Sequence, residues 1–224
     1  MFDGVGDGGA RQRRALDAWC VVGGMAAFGM TAWLARDGLA PGEEAIFRAF
    51  NDLPDWFYAI LWPFMQYGMF MTIPVLTVVA LLFRRYRLAI AMATSGLTVY
   101  VLAKVVKEFV QRGRPGALMA NVAERELVAV NSLGYPSGHT AVAGAMTMVV
   151  TPYLRGRWKA CPTVLLLIVF AGRMYVSAHV PLDLVGGAAM GIAAGGLVNL
   201  LLGVPRHASR TVTDETVEAV TAGG

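Results

Sequence analysis

Three short groups of residues, in order along the chain, have types and spacings that suit phosphoryl chemistry. They are Lys107 with Arg114 and Pro115, then Pro136-Ser137-Gly138-His139, then Arg173 with His179 and Asp183. Written as patterns they are Lys-x6-Arg-Pro, Pro-Ser-Gly-His and Arg-x5-His-x3-Asp, and together they supply three cations, two imidazoles and one carboxylate. A metal-free phosphoryl-transfer site needs this inventory: fixed positive charge for the phosphate, a nucleophile, a group that orients it and a proton donor. Each group alone is a weak signal. Their order on one chain carries the inference.

The immediate surroundings of each group fit that use. Ser137 stands where a loop becomes a helix, so it can act as N-cap while the first free amides and the positive end of the helix dipole point outward. An anion is well accommodated there, and Gly138 lets the backbone approach a phosphate closely. Pro181 suits the first turn of the following helix, which places Asp183 in that same turn. From there the carboxylate can reach back to His179, fix its tautomer and leave the other ring nitrogen free to attack. A lone His-x3-Asp pair is commonly structural, but beside Arg173 and a second imidazole it reads as nucleophile plus orienter. Lys104, one helical turn before Lys107, belongs to no group and reads as an anchor or a supporting residue. Glu124 and Glu126 read as solvated loop residues.

Composition says what must position these groups. Of 224 residues, 56% are hydrophobic and only 15% charged, with a mean hydropathy of +0.55. A soluble domain carries about 25% charge, so these values point to a membrane protein. Apolar runs near the length of a spanning helix, about 20 residues, predict six spans at 15–35, 69–83, 88–110, 139–154, 160–177 and 182–202. The expected organisation is a disordered cytoplasmic tail at 1–14, one six-helix domain at 15–202 and a second such tail at 203–224. The segments at 36–55 and 111–137 read as polar loops. Trp56, Phe57, Tyr58, Trp62, Phe64 and Tyr67 read as an interfacial belt at headgroup level.

Cys20 and Cys161 open apolar segments and read as core fillers rather than a disulfide. The chain has three histidines and no CxxC, so no zinc cluster is visible. A pI near 9.3 does not imply nucleic acid here, because the basic residues sit in short connections between apolar runs. Alternate connections hold Arg11, Arg13, Arg14, Arg84, Arg85, Arg87, Arg155, Arg157, Lys159, Arg206 and Arg210, a majority of the 19 Lys and Arg. The positive-inside rule then puts both termini in the cytoplasm. With six spans, all three groups emerge together on the outer face, although none was used to orient the helices.

The three groups closely resemble the signature of the type 2 phosphatidic acid phosphatase superfamily, whose membrane members are six-helix lipid phosphatases. Soluble bacterial acid phosphatases and vanadium haloperoxidases share its pocket. The resemblance implies an all-α, six-transmembrane-helix bundle with an acid phosphatase/haloperoxidase-like catalytic core. It implies that His179 attacks phosphorus and becomes a phosphohistidine, supported by Asp183, and that His139 protonates the leaving oxygen. Lys107, Arg114 and Arg173 would bind the phosphate oxygens, helped by backbone amides near Ser137 and Gly138. The third group usually opens Ser-Arg, whereas Gly172 precedes Arg173 here, which removes a hydroxyl beside the arginine.

The resulting expectation is a lipid phosphatase or diphosphatase of a bacterial inner membrane, working at the outer leaflet without metal or cofactor. Its candidate substrates are polyprenyl diphosphate, phosphatidylglycerol phosphate, phosphatidic acid and polyprenyl-phosphosugar phosphates. The same site could serve a phosphotransferase with a non-water acceptor, and a transporter or scaffold is the non-enzymatic alternative. Partners are the lipid phosphate and the membrane, with no nucleic acid, and the chain is taken as a monomer or weak dimer.

Overall fold

The computed structural model describes residues 9–126 and 132–206. They form a helical bundle in element order β1 (Arg11–Gln12), α1 (Ala15–Leu34), α2 (Glu43–Asn51), α3 (Phe57–Met65), α4 (Thr72–Leu82), α5 (Tyr86–Val110), α6 (Pro115–Leu118), α7 (Gly138–Val150), α8 (Cys161–Tyr175), α9 (Pro181–Leu202) and β2 (Val204–Pro205). The outward faces are apolar: Trp19, Leu82 and Phe109 are 72%, 77% and 76% exposed. Such faces suit lipid, not water. Four helices are long and apolar enough to cross a membrane, or five if a bent pair is one span.

The six-span expectation is therefore approximate, and two helices account for the difference. The expected second span is a broken helix that starts earlier, with Phe57–Gly68 and Thr72–Leu82 meeting at 69°. Thr72 Oγ1 donates to Gln66 O at 2.5 Å across the break. A Cβ on Gly68 would sit 2.6 Å from His139 O, so the glycine lets the elbow press against the start of α7. The expected fourth span, α7, has only 13 residues, roughly 20 Å of helix. It runs inside the protein, with Thr140 through Thr147 all buried, and needs no full hydrocarbon thickness of its own.

Two expected loops also contain structure, since α2 lies within 36–55 and α6 within 111–137. Cys20 is half-buried and Cys161 exposed, both as free thiols, so they are not the core fillers expected. Leu34, Val110 and Leu202 end their helices within a residue of the sequence-based boundaries at 35, 110 and 202.

Close helix packing at the centre depends on small residues. Along one face of α9, a Cβ on Gly187 would overlap Ser137 O, one on Gly191 would overlap Ala141 O, and one on Gly195 would lie 2.7 Å from Met148 Cβ. Returning the contact, a Cβ on Gly144 of α7 would sit 2.9 Å from Ala188 O. On the other side of α9, Gly24 of α1 approaches Ala189 O, where a Cβ would lie at 2.7 Å. Glycine at such positions lets backbones come within van der Waals contact, a principal attraction between helices in lipid.

The two ends of the bundle differ. At one end β1 pairs antiparallel with β2, Arg11 opposite Pro205 and Gln12 opposite Val204. Arg11 and Gln12 thus belong to an ordered pairing within the stretch read as a tail. Arg13 Nε and Arg87 Nη1 donate to Leu200 O and Leu202 O, both at 2.9 Å, and satisfy carbonyls that α9 leaves open at its C-terminus. The buried Asp17 is held by Arg14 at 2.6 Å and by Asn199 Nδ2 at 3.1 Å. At the other end lie the C-terminus of α5 and the N-termini of α7 and α9. The remaining tail residues, 1–8 and 207–224, lie outside the described residues.

Candidate active site

All three residue groups come to the end of the bundle away from the β1–β2 pair. Lys107 sits in the last turn of α5 and donates from Nζ to Leu133 O at 2.7 Å and Gly134 O at 3.0 Å. The helix ends at Gln111, whose φ of 51° breaks it, and Pro115 restarts the chain as α6. Between them Arg114 Nη1 donates to Ala178 O at 2.8 Å. That bond ties the first group to the loop that carries His179.

Ser137 is the N-cap of α7, as its position in the sequence suggested. Its hydroxyl accepts from Thr140 N at 3.5 Å, and its own N–H donates to Asp183 O at 2.9 Å. The segment before it is pinned to α1: Tyr135 Oη donates to Phe28 O at 3.0 Å and lies 2.9 Å from Thr31 Oγ1. His139 follows in the first turn of α7, half-buried. Burial first, and then the charges of Arg173, His179, Arg114 and Lys107, hold its pKa well below the ordinary value. Both motif histidines and all three motif cations therefore share one region.

His179 lies in the connection between α8 and α9 and is 2% exposed. The turn is tight, with Ser177 at φ 61° and with Ala178 N and His179 N donating to Arg173 O at 3.0 and 3.3 Å. His179 Nδ1 faces Asp183 Oδ2 at 3.4 Å, and the same oxygen accepts from Val180 N at 3.3 Å. Burial first, and then Arg114, Lys107 and Arg173, hold the His179 imidazole well below its ordinary pKa, against a backbone hydrogen bond to Gly134. The ring is kept neutral, the form that can attack. Asp183 is fully buried in the first turn of α9.

Arg173, in the last turn of α8, is 5% exposed and donates from Nη1 to Glu126 Oε2 at 2.7 Å. Glu126 is thus not the solvated loop residue expected. Its segment is stitched to the α2–α3 region: Asn51 Nδ2 donates to Ala123 O at 3.0 Å, and Arg125 Nη2 to Leu53 O at 2.9 Å. Among the described residues, Arg114 and Arg173 each have one protein acceptor, and each keeps a buried Nε with none. A guanidinium has five N–H donors, and buried donors are costly without partners. Two such arginines beside two imidazoles make a receptor for an anion with several oxygens, as phosphate has.

Other features answer open points of the sequence. At Gly172, a Cβ would overlap the sulfur of Met65, which is 2% exposed, so methionine from α3 fills the space that a serine side chain would take. Lys104 is exposed, its Nζ 4.4 Å from the Tyr100 ring centroid and outside the cluster. Of the aromatic belt, Trp56, Trp62 and Phe64 are exposed, whereas Phe57 and Tyr58 pack with Met65 and Tyr175 beneath the site. The described residues include no group of three or more His, Cys, Asp or Glu arranged to hold a metal ion.

Two residues outside the motifs join the site. Arg112 is buried and donates from Nη1 to Asp183 Oδ1 at 2.9 Å, and its guanidinium also pairs with Glu43 of α2. In the sequence the only hint of Arg112 is its place inside Lys-x6-Arg-Pro, and Glu43 looks like any other acid of a polar loop.

A family model described as the PAP2 superfamily matches residues 86–204, just over half of the chain. The match takes in every residue of the three groups. Among solved structures, the fold is similar to the crystal structure of Aquifex aeolicus LpxE, with 22% identity, 70% of this chain and 93% of that chain covered, and a TM-score of 0.60. It is also similar to the first transmembrane PAP2 type phosphatidylglycerolphosphate phosphatase from Bacillus subtilis, at 20% identity, with 81% and 94% covered and a TM-score of 0.66. At these identities the likeness is one of fold. No curated protein matches the chain in sequence.

Proposed function

The chain belongs to the PAP2 superfamily, and we propose that it is a membrane phosphatase that removes phosphate from a lipid phosphate monoester or diphosphate at the outer leaflet. The observation that carries this reading is the pairing of Arg114 and Arg173. Among the described residues both keep donors without a protein acceptor, and both act on a buried His179 held neutral. A site at the end of a bundle with lipid-facing sides suits a substrate whose head is wet and whose tail stays in the bilayer. Phosphatidylglycerol phosphate is one candidate, since a structure of similar fold is a phosphatase of that lipid. Phosphatidic acid, polyprenyl diphosphate and polyprenyl-phosphosugar phosphates are the others.

The proposed reaction proceeds in two displacements. His179 Nε2, the nitrogen turned away from Asp183, attacks phosphorus as the bond to the leaving oxygen breaks. His139, whose pKa burial and the nearby cations hold down, takes up a proton when the phosphate anion binds beside it, since an opposite charge favours the cationic ring. It gives that proton to the leaving oxygen, releasing the lipid alcohol or, from a diphosphate, the lipid monophosphate. Water then attacks the phosphohistidine and loses its proton to His139, and inorganic phosphate leaves with His179 neutral again. Lys107, Arg114 and Arg173 balance charge on the equatorial oxygens, as such transfers require, and the α7 amides behind Ser137 and Gly138 add partial positive charge. Asp183 keeps Nδ1–H directed inward and stabilises the cationic ring. With three side-chain cations in place, we assign no metal to the reaction.

The test is phosphate release by purified protein in detergent micelles carrying each of the four lipid classes. Wild type should act on at least one, His179→Ala should fall to background, and excess EDTA should leave the rate unchanged. A wild type as inert as His179→Ala would defeat the enzyme reading, whereas loss of activity on chelation would remove only the metal-free assignment.

A further inference from the structure

We propose that Arg112, clamped by Glu43, is the positioning residue that holds Asp183 as a charged acceptor for His179. The proposal rests on the phosphatase reading and gives one arginine of the site a role different from the other two. Arg112 is 3% exposed, and both its η nitrogens are committed to the protein. Nη1 donates to Asp183 Oδ1 at 2.9 Å and to Glu43 Oε1 at 3.3 Å. Nη2 donates to Gly38 O at 2.7 Å and to Glu43 Oε2. Among the described residues, Arg114 and Arg173 have one protein acceptor each. All three keep a buried Nε without an acceptor, so the difference lies in the η nitrogens. Both of Arg112 are held by two carboxylates and a carbonyl, while the other two arginines each have one engaged and the other left for an anion.

Glu43 is itself immobilised, which makes it a clamp and not a passing surface partner. Beyond Arg112, its Oε1 accepts from Leu182 N at 2.8 Å and its Oε2 from Ala40 N at 2.9 Å. Leu182 neighbours Asp183 in the first turn of α9, so Glu43 fixes the guanidinium and the helix start that bears the carboxylate. At Asp183 the two oxygens are divided. Oδ1 is met by Arg112, leaving Oδ2 for His179 Nδ1 at 3.4 Å and Val180 N at 3.3 Å. A fully buried carboxylate stays charged only when paired. Without the guanidinium it would take up a proton, and a protonated Asp183 no longer stabilises the positive ring that phosphorylation of His179 creates. The relay Glu43–Arg112–Asp183–His179 thus runs from the loop side of the bundle to the attacking nitrogen, and Arg112 acts through Asp183 without touching phosphate.

A double-mutant cycle measured as phosphate release from the same four lipid micelles tests this. Arg112→Gln should lower kcat by about 10- to 100-fold, by analogy with the loss of an outer partner of a metal-ligating histidine, with KM within about twofold. In an Asp183→Asn background the same substitution should cost less than about twofold more, because its path to His179 is already cut. Arg112→Lys should restore part of the lost kcat. Glu43→Gln, which leaves the arginine on Asp183, should lower kcat by a smaller factor and likewise have little effect beside Asp183→Asn. It carries the test if Arg112→Gln does not fold. Equal losses in both backgrounds, or a raised KM at unchanged kcat, would overturn the proposal while the phosphatase reading stands. A wild type that releases no phosphate from any of the four lipids overturns both.

Discussion

Burial at His179 works with its neighbours rather than against them, which separates this residue from an ordinary buried histidine awaiting a partner. Desolvation and the charges of Arg114, Lys107 and Arg173 all push its pKa well below 6.5. The consequence for stability has a definite sign. Above pH 6.5 the ring is neutral in both folded and unfolded chains, so the shift contributes no pH dependence. As pH falls below 6.5, the unfolded chain binds a proton that the folded protein does not, and stability falls by up to about 1.4 kcal/mol per pH unit. Thermal unfolding in detergent between pH 7 and pH 5 should therefore show falling stability, with a smaller slope in His179→Gln. An unchanged slope in that variant would mean that the ring is not held neutral. The six motif side chains were legible from residue type and spacing because their chemistry is narrow. Arg112 and Glu43 were not, since their pairing joins positions 69 apart in sequence and leaves no local pattern. The same holds for Glu126, which meets Arg173 across 47 positions.

At the scale of elements, the site depends on how closely α9 lies against α7, because Asp183 and His139 both sit near the N-terminal ends of those helices. Gly187, Gly191 and Gly195 set that distance, and Ser137 N donating to Asp183 O at 2.9 Å joins the two helix starts. Gly191→Ala forces a methyl into Ala141 O and should destabilise the protein by about 1–3 kcal/mol. Gly23→Ala in α1, where a Cβ meets nothing within 4 Å, should be neutral or stabilise by up to about 1 kcal/mol. Paired thermal melts in one detergent check this, and equal melting temperatures for the two variants would remove the close-packing argument. Long apolar runs made α1, α5, α8 and α9 readable within a few residues. The elbow between α3 and α4 was hidden because the chain stays apolar across it, and only packing against His139 explains the break at Gly68. The helix α2 was hidden for the opposite reason: its acids and Arg48 read as loop, although Glu43, Phe47 and Asn51 form a buried stripe four residues apart.

At the scale of the whole molecule, charge is sorted between the two ends of the bundle by function. The end closed by β1 and β2 gathers arginines that cap α9 and flank the short connections, the pattern that the positive-inside rule assigns to the cytoplasm. The other end also holds basic residues, but Lys107, Arg112, Arg114 and Arg173 are turned onto carbonyls, carboxylates and the proposed phosphate position. Arg112 and Arg173 are buried and Lys107 and Arg114 half-buried, and all four are drawn to the site, so they carry no topological signal. The proposed orientation predicts that single cysteines at two exposed positions behave oppositely in cells that express a variant lacking Cys20 and Cys161. A cysteine replacing Ala117 in α6, beside the site, should react with a membrane-impermeant maleimide added to intact cells. One replacing Lys159, in the connection before α8, should react only after the membrane is opened. Reaction of both positions from outside would break the shared-end arrangement on which the site depends. The reverse pattern would keep the site intact and move it to the cytoplasmic leaflet, which would change the lipid pool that it can reach.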